Sequence, residues 1–476
     1  MPNYTTEMDS QRNIGKQGLV AEYNANNSWL YNGNNGKLNN NNKNNTNSVR
    51  PVLDFNPSED TTGMSECVIP LRDWYDIYRR CRRGKAGKPS HLVFLYDFAR
   101  TLTAVCRDVN SFEYVPRMAT CFMIQQPRLR EVIAADFSDR LVQTYYANII
   151  TEILERKVLH PDSYACRKGK GGLRAVLNLQ DYIYEATNGY TEDVWLAKID
   201  VKGFFMAIDT FLTSKMLCNL IENEIDDTRQ KNMLLYLTRI IYQSMPQMHC
   251  VVKSPEWMFS KLPEHKKMRD KVTSIGVAIG NVTSQMVAMM LINEYLMLLQ
   301  SMGYRFAHYT DDTCVIVKDK DRWAAHLQII DAFMRDRLHL ELHRDKRYLQ
   351  HYSKGVAFLG YKLRYNRILP SSRIVHNFRW KTTCAIRKAA TVENYMLREG
   401  EHFMQVFNSY NGLLSWCNAW RVRRTEFERV KASDWRKVFD FHDNDCHVTL
   451  KPTATRKAWF MRKNRERKRQ TPLWPR

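Results

Sequence analysis

Acidic side chains are scarce in this chain. Fifty Asp and Glu stand against 72 Lys and Arg, a formal net charge of +22 over 476 residues. The excess is locally clustered, which argues against a merely soluble basic protein and for a polyanionic partner, nucleic acid ahead of membrane. Long apolar runs are missing as well. No stretch reads as long enough to span a bilayer, and the polar N-terminus lacks the apolar core of a signal peptide, so a cytoplasmic protein with no membrane partner is expected. Eleven Cys are present but no C-x-x-C pair, which indicates neither a zinc site nor a disulfide framework. The glycine-basic loop Ser163–Gly172 lacks the spacing of a P-loop, which excludes that class of nucleoside triphosphatase. What is present is enough apolar residue, 44%, for a sizeable core, in a length that suits about two to four domains or subdomains.

Chemistry concentrates in two stretches. Tyr309-Thr310-Asp311-Asp312 lies between Phe306-Ala307-His308 and Cys314-Val315-Ile316-Val317. The β-prone flanks predict a hairpin with these residues at its tight turn. Two adjacent carboxylates repel each other and need a counter-charge if held away from water, which a divalent metal supplies. A solvated Asp-Asp turn is the plainer alternative, because Asp favours turns. The second stretch, Leu196 to Phe205, reads as an apolar strand ending in Asp200, followed by a basic-Gly-aromatic turn. A strand-borne Asp about a hundred residues before a Tyr-x-Asp-Asp hairpin is the acid layout of a two-metal nucleotidyl transferase. There carboxylates hold two Mg²⁺ about 3.5–4 Å apart and stabilise attacking and leaving oxygens. Mg²⁺ prefers hard oxygen ligands, as a set of three Asp provides.

Together, in this order, the two blocks resemble the reverse transcriptases over about residues 65 to 435. The resemblance implies an α/β right-hand polymerase with fingers, an antiparallel-sheet palm and a helical thumb, making DNA on an RNA template. It implies two Mg²⁺ held by Asp200, the backbone of Val201, Asp311 and Asp312. Other blocks fit the same scheme. Phe122 to Ile133 reads as a hairpin broken by Pro127, the stretch Ala134 to Gln143 then opens a helix, and Arg128 and Arg130 would grip the incoming triphosphate with guanidinium forks that match phosphate oxygens. Arg140 reads as a structural salt bridge with Asp136 or Asp139. The loop Arg167-Lys168-Gly169-Lys170-Gly171 resembles a fingers loop that contacts template backbone or positions the nucleotide pocket, since Gly lets backbone approach phosphate. Phe205, five residues after Asp200, matches the aromatic gate that excludes a 2′-hydroxyl; a core Phe is the alternative. Asp209 is a possible helix cap. Lys346 is either a general acid for the pyrophosphate leaving group or a surface Lys. Val356 to Tyr361 resembles the primer-grip hairpin.

One block narrows the resemblance. Ile275 to Gln285 reads Ile-Gly-Val-Ala-Ile-Gly-Asn-Val-Thr-Ser-Gln. Retroviral and group II intron enzymes usually carry Pro-Gln-Gly here, with Ser-Pro later. Ile279 replaces that Gln and Ser284-Gln285 replaces Ser-Pro, so Ile279 to Gln285 resembles the reverse transcriptases of diversity-generating retroelements, while Ala278 departs from the usual Pro. Ile279, Gly280 and Gln285 are thereby nucleotide-binding candidates. Ile279 cannot hydrogen-bond a nucleotide as Gln could, which fits loosened selection opposite template adenine. The Asn-rich stretch Asn24 to Asn47 adds a separate signal. Asn-Asn-Thr-Asn-Ser-Val-Arg-Pro-Val-Leu resembles the end of a diversified C-type-lectin-like protein, as though the gene's 5′ end overlaps the template repeat, with Met64 an alternative start. By composition this stretch should have no fold of its own.

The expected organisation is an Asn-rich N-terminus over 1–63, fingers over 64–195, palm over 196–370, thumb over 371–435 and a basic tail over 436–476. Trp74, Ile77, Tyr78 and Cys81 predict a first helix, and a second is expected around Leu92 to Val105. Arg79, Arg80, Arg82, Arg83 and Lys85 suggest RNA backbone contact over a solvated helix end. Tyr410, Leu413, Leu414, Trp416, Trp420 and Val422 make an aromatic stripe beside Arg421, Arg423 and Arg424, either core or laid along a duplex. The chain after the thumb is too short for an RNase H domain. Expected partners are template RNA, cDNA and target DNA, deoxynucleoside triphosphates and a small basic accessory protein, in a prokaryotic or phage setting. The alternatives are a group II intron or retron-type reverse transcriptase and, from another class, an RNA-binding scaffold with a dead polymerase site.

Overall fold

The computed structural model describes residues 69–455, except 86, 126, 127, 270, 272 and 393, together with the backbone of 19–22, 27–32 and 37–42. The chain divides into two compact units. One holds residues up to 160 with 202–296 and 331–341; the other holds 161–201, 297–330 and 342 onward.

In the first unit, the expected helix is Leu71–Cys81, and its four periodic residues Trp74, Ile77, Tyr78 and Cys81 are all buried. The second expected helix is two, Pro89–Tyr96 and Phe98–Asn110, broken at Asp97 with φ −127° and ψ 56°. The break lets both segments turn aromatic rings onto Tyr78, with Phe94 at 5.7 Å and Phe98 at 4.6 Å between ring centroids. The hairpin of strands Ala119–Ile124 and Arg130–Ala134 is antiparallel with Phe122 opposite Val132, and Cys250–Val252 adds a parallel third strand. The helix Phe137–Lys157 starts at Asp136, whose side chain accepts from the Ser138 amide at 3.0 Å. Arg140 does not form the expected salt bridge: its Nε donates to the Ala135 carbonyl. Asp139 is instead occupied by the Tyr114 hydroxyl at 2.7 Å and the Arg117 amide at 3.0 Å. Asp209 is the cap suggested by sequence, accepting from the amides of Phe211 and Leu212.

The helix Val282–Ser301 corrects the reading that no run is long enough for a membrane. With mean hydropathy 1.3 it passes on length and composition, but 72% of that window is buried within the protein. Met286, Val287, Leu291, Ile292, Tyr295 and Leu296 are core residues. Within the Asn-rich stretch, where no fold was expected, strands Asn27–Asn32 and Lys37–Asn42 pair antiparallel, and Leu19–Glu22, just before it, pairs with the first of them.

The second unit is built on a four-stranded antiparallel sheet ordered Tyr348–His351, Trp195–Asp200, Asp312–Val317, Arg305–Tyr309. Leu196, Cys314 and Ile316 share a core with Ala175, Val176, Leu179 and Ile183 of the helix Gly172–Ala186. A second sheet of Val356–Phe358, Tyr361–Arg364 and Arg367–Pro370 joins the same core through Val356, Phe358, Tyr361 and Leu363. Three helices follow, Ser372–Thr391, Tyr395–Ser415 and Trp420–Lys431. Their core also takes in Trp435, Phe439, Cys446, Val448 and Ala454, so the folded segment runs past the expected boundary at 435 through a hairpin of Phe439–His442 and His447–Leu450. Of the aromatic stripe, Leu414 is buried while Trp416 and Trp420 are 59% and 52% exposed, so part of it is surface. The tail beyond 455 lies outside the described residues, as do Met64 and most of the N-terminus.

Candidate active site

The hairpin turn is where sequence placed it. Strands Arg305–Tyr309 and Asp312–Val317 pair with Tyr309 opposite Asp312, leaving Thr310 and Asp311 as a two-residue turn. Thr310 has φ +62°, a left-handed conformation that a β-branched residue adopts only against steric cost. Such strain persists where surrounding structure over-determines it, and it concentrates at functional sites. Across the sheet Asp200 stands directly opposite Asp312. The Val201 amide donates to the Asp311 carbonyl at 3.3 Å, and the His343 amide to the Asp200 carbonyl at 2.8 Å. Two carboxylates opposed across strands, with a third in the adjoining turn, are destabilising unless countered.

Two ammonium groups do the countering. Lys346 Nζ lies 2.5 Å from Asp200 Oδ2, and Lys198 Nζ lies 3.2 Å from Asp312 Oδ2 while donating to the Ala357 carbonyl at 2.7 Å. Lys198 was not picked out from the sequence. Its signal was available: it sits two residues before Asp200, so period-two alternation puts both on one face. Burial pushes the Asp312 carboxyl up to about 6; Lys198 opposes the shift, and Asp311 and Asp200 add to it.

The donor set suits a hard cation. Asp312 Oδ1 is buried and has no hydrogen-bond partner among the described residues, an acceptor of the kind a metal satisfies. Among the described residues no three ligand side chains close around one point. Lys346 and Lys198 hold two of the carboxylates, so an incoming cation would take over their role as counter-charge.

The Gly-basic loop belongs to this unit and is tied to the hairpin. The amide of Tyr164 donates to the His308 carbonyl and the amide of His308 to the Asp162 carbonyl. Gly169 and Gly171 take φ of +72° and +110°. Lys170 Nζ donates to the Pro161 carbonyl, so within the loop this cation is spent on backbone.

The nucleotide-binding candidates lie in the first unit. Arg128 and Arg130 are exposed, Arg130 on the hairpin strand Arg130–Ala134 and Arg128 in the loop before it, and neither forms an ion pair among the described residues. Phe205 is half-buried beside buried Phe204, and its carbonyl accepts from the Val277 amide at 2.8 Å. That bond couples the aromatic position to the loop Gly276–Gly280. Gly280 is required: it has φ +108°, and a Cβ there would meet Val132 Cγ1 at 3.2 Å. Ile279 is half-buried, packed against a cluster that includes Cys121, Met206, Met258, Met268 and Ala278. Gln285 is exposed in the first turn of its helix. Two neighbours that sequence reading passed over fix the loop. Asn281 Oδ1 accepts from the Ala135 amide at 3.3 Å, and Ser284 Oγ donates to the Ala278 carbonyl at 2.7 Å.

Residues 126–363, half of the chain, match the family described as reverse transcriptase (RNA-dependent DNA polymerase). No curated protein sequence matches. Solved structures similar in fold include apo telomerase from Candida tropicalis, with TM-score 0.43 and 10% identity over 67% of this chain and 58% of that one. A form truncated at its C-terminal domain gives 0.40 and 12% over 53% and 55%. Candida albicans telomerase with a fragment of telomeric RNA gives 0.39 and 12% over 66% and 55%. The chain thus covers less than two thirds of the length of these telomerase chains. The family match and the carboxylate-bearing antiparallel sheet carry the assignment: the chain belongs to the reverse transcriptases, the RNA-dependent DNA polymerases, with their α/β fold.

Proposed function

We propose that this chain makes cDNA from a template-repeat RNA and misincorporates opposite adenine, as the reverse transcriptase of a diversity-generating retroelement, in the cytoplasm. The observation that carries the polymerase reading is the register of Asp200 opposite Asp312 beside a strained turn holding Asp311. These carboxylates, with the Val201 backbone, would hold two Mg²⁺, which activate the primer 3′-hydroxyl and stabilise the leaving pyrophosphate. Lys346, whose Nζ donates to Asp200 Oδ2, would pass a proton to the departing pyrophosphate. Arg128 and Arg130 carry uncommitted guanidinium groups for the triphosphate. Phe205 excludes a 2′-hydroxyl.

The mutagenic reading rests on Ile279 and on the Asn-rich N-terminus. Ile279 offers the nucleotide an aliphatic side chain with no hydrogen-bonding group. Its support is rich in methionine, whose unbranched, polarisable side chains adapt to irregular shapes. Discrimination against a wrong base is strong when a site must hydrogen-bond the right one, and weak when contacts are apolar. A small basic accessory protein, template RNA, cDNA and target DNA are the proposed partners.

The test is cDNA synthesis on RNA from the gene's own 5′ region, with the accessory protein supplied, followed by sequencing. Errors confined to template adenines support the proposal. Faithful cDNA leaves a conventional reverse transcriptase and overturns the mutagenic role. No cDNA with an annealed primer and Mg²⁺ overturns the enzyme in favour of an RNA-binding scaffold.

A further inference from the structure

The end of the second unit's main sheet opposite Asp200 carries aromatic rings that the reaction does not use. Trp195 begins the strand that Asp200 ends, five residues or about 16 Å away. Beyond Trp195 the ring of Tyr190 packs against Tyr352, Tyr365 and Tyr184, with centroids 6.0, 4.6 and 5.3 Å apart. Tyr365 sits in the turn joining Tyr361–Arg364 to Arg367–Pro370. The other end of Tyr361–Arg364 adjoins Leu359, which with Tyr309 borders Gly172, so the Tyr365 turn points away from the catalytic hairpin. A groove of about 400 Å³ opens beside this turn, lined by Gln180, Asn366, Arg367, Ile368, Trp416 and Asn418.

Its chemistry is specific. Tyr184, Tyr365 and Trp416 are 55%, 57% and 59% exposed, Tyr184 and Tyr365 while also packing on Tyr190. Arg364 and Arg367 face each other in register, and neither forms an ion pair among the described residues. Gln180 Nε2 donates to the Tyr190 hydroxyl at 2.6 Å, while its buried Oε1 has no hydrogen-bond partner. Asn418 bonds both backbone groups of Ile368, accepting from its amide and donating to its carbonyl. That seals the strand edge there and removes strand addition by a peptide as a way of docking.

Exposed rings, uncommitted guanidinium groups and an orphan acceptor match one ligand class. Unpaired bases stack on aromatic faces, phosphates take Arg, and a base amino group donates to a carbonyl. A duplex keeps its bases stacked inside and offers none of these faces. We propose that this groove binds an unpaired segment of RNA, with one base on Trp416, phosphate on Arg364 and Arg367, and a base amino group on Gln180 Oε1. The proposal rests on the polymerase reading only in taking the RNA to be the template transcript, held outside the copying site.

The test uses the full chain saturated with an annealed RNA–DNA primer–template, to which labelled single-stranded oligo(A) RNA is added. The groove predicts continued binding, ultraviolet cross-links in the peptides holding Tyr365 or Trp416, and a roughly 5- to 100-fold weaker affinity in Trp416→Ala, restored in large part by Trp416→Phe. Extension of the annealed primer stays unchanged in Trp416→Ala. Unchanged oligo(A) affinity in that variant, cross-links confined to other peptides, or equal competition by a blunt-ended, fully paired RNA duplex would overturn the proposal. An inactive wild-type chain that still binds oligo(A) through Trp416 would instead sink the polymerase reading and leave the groove standing.

Discussion

The hairpin at Tyr309–Asp312 and the loop at Gly276–Gln285 solve opposite problems. The hairpin concentrates charge. Asp200, Asp311 and Asp312 are brought together by strand register, and Lys198 and Lys346 are needed to hold them. The loop disposes of polarity. Asn281 and Ser284 spend their side chains on the backbone of Ala135 and Ala278, and Ile279, like Val277 and Ala278 before it, has no polar side-chain group to offer. Catalytic power of this kind comes from groups that are present and preorganised. The loosened selection proposed above would come from a group that is missing.

That contrast can be broken from either side. The largest effect is expected at the hairpin: Asp312→Asn removes a charge from the carboxylate set and should lower primer extension by more than about 1000-fold, read in single-turnover assays. Asp312 is half-buried, opposed to Asp200 and paired with Lys198, so the variant relieves one repulsion and loses one ion pair and should keep its melting temperature; a lower one would show that the carboxylate is structural. At the loop, Ile279→Gln restores a hydrogen-bonding side chain at a half-exposed position. It should cut errors opposite adenine several-fold while leaving total cDNA within about a factor of ten, checked by sequencing products from equal primer input. An unchanged error spectrum would move the origin of infidelity away from this residue.

The smallest effect concerns the fingers. Burial lifts the Asp139 carboxyl from its ordinary 3.8 to about 6, against the opposing hydrogen bond from Tyr114. A raised carboxylate favours the proton-bound folded state, so this contribution to stability is complete below pH 3.8 and is lost as pH rises through about 6. The shift of about two units corresponds to at most about 3 kcal/mol. Asp139→Asn should flatten the pH dependence of unfolding between about 4 and 6, measured by denaturant titration at several pH values. A slope unchanged by the substitution would mean that Asp139 does not carry it.

Local pattern made much of this legible. Trp74, Ile77, Tyr78 and Cys81 recur at helical spacing, and all four are buried in one helix. The β-prone flanks of Asp311 specified the hairpin, because alternation and turn chemistry are properties of adjacent residues. The break at Asp97 was not legible, since both halves scan as one apolar period and only their separate packing on Tyr78 divides them. Neither was Arg140, whose acidic neighbours in sequence were the obvious partners. Asp139 is turned toward Tyr114 and Arg117 by the tertiary fold, which leaves the guanidinium to a carbonyl.

The sequence by itself determined the kind of chemistry: a basic chain, three acids in ordered blocks, and an Ile where a Gln is usual. Those are identities of residues, and no folding changes them. Tertiary structure alone decided which groups meet. Strand register set Asp200 opposite Asp312, and the same sheet brought Lys346, 146 residues along the chain, onto Asp200. The physical reason is range. Propensity and periodicity act over a few residues, whereas a counter-charge is chosen by proximity in space, which only the closed sheet creates.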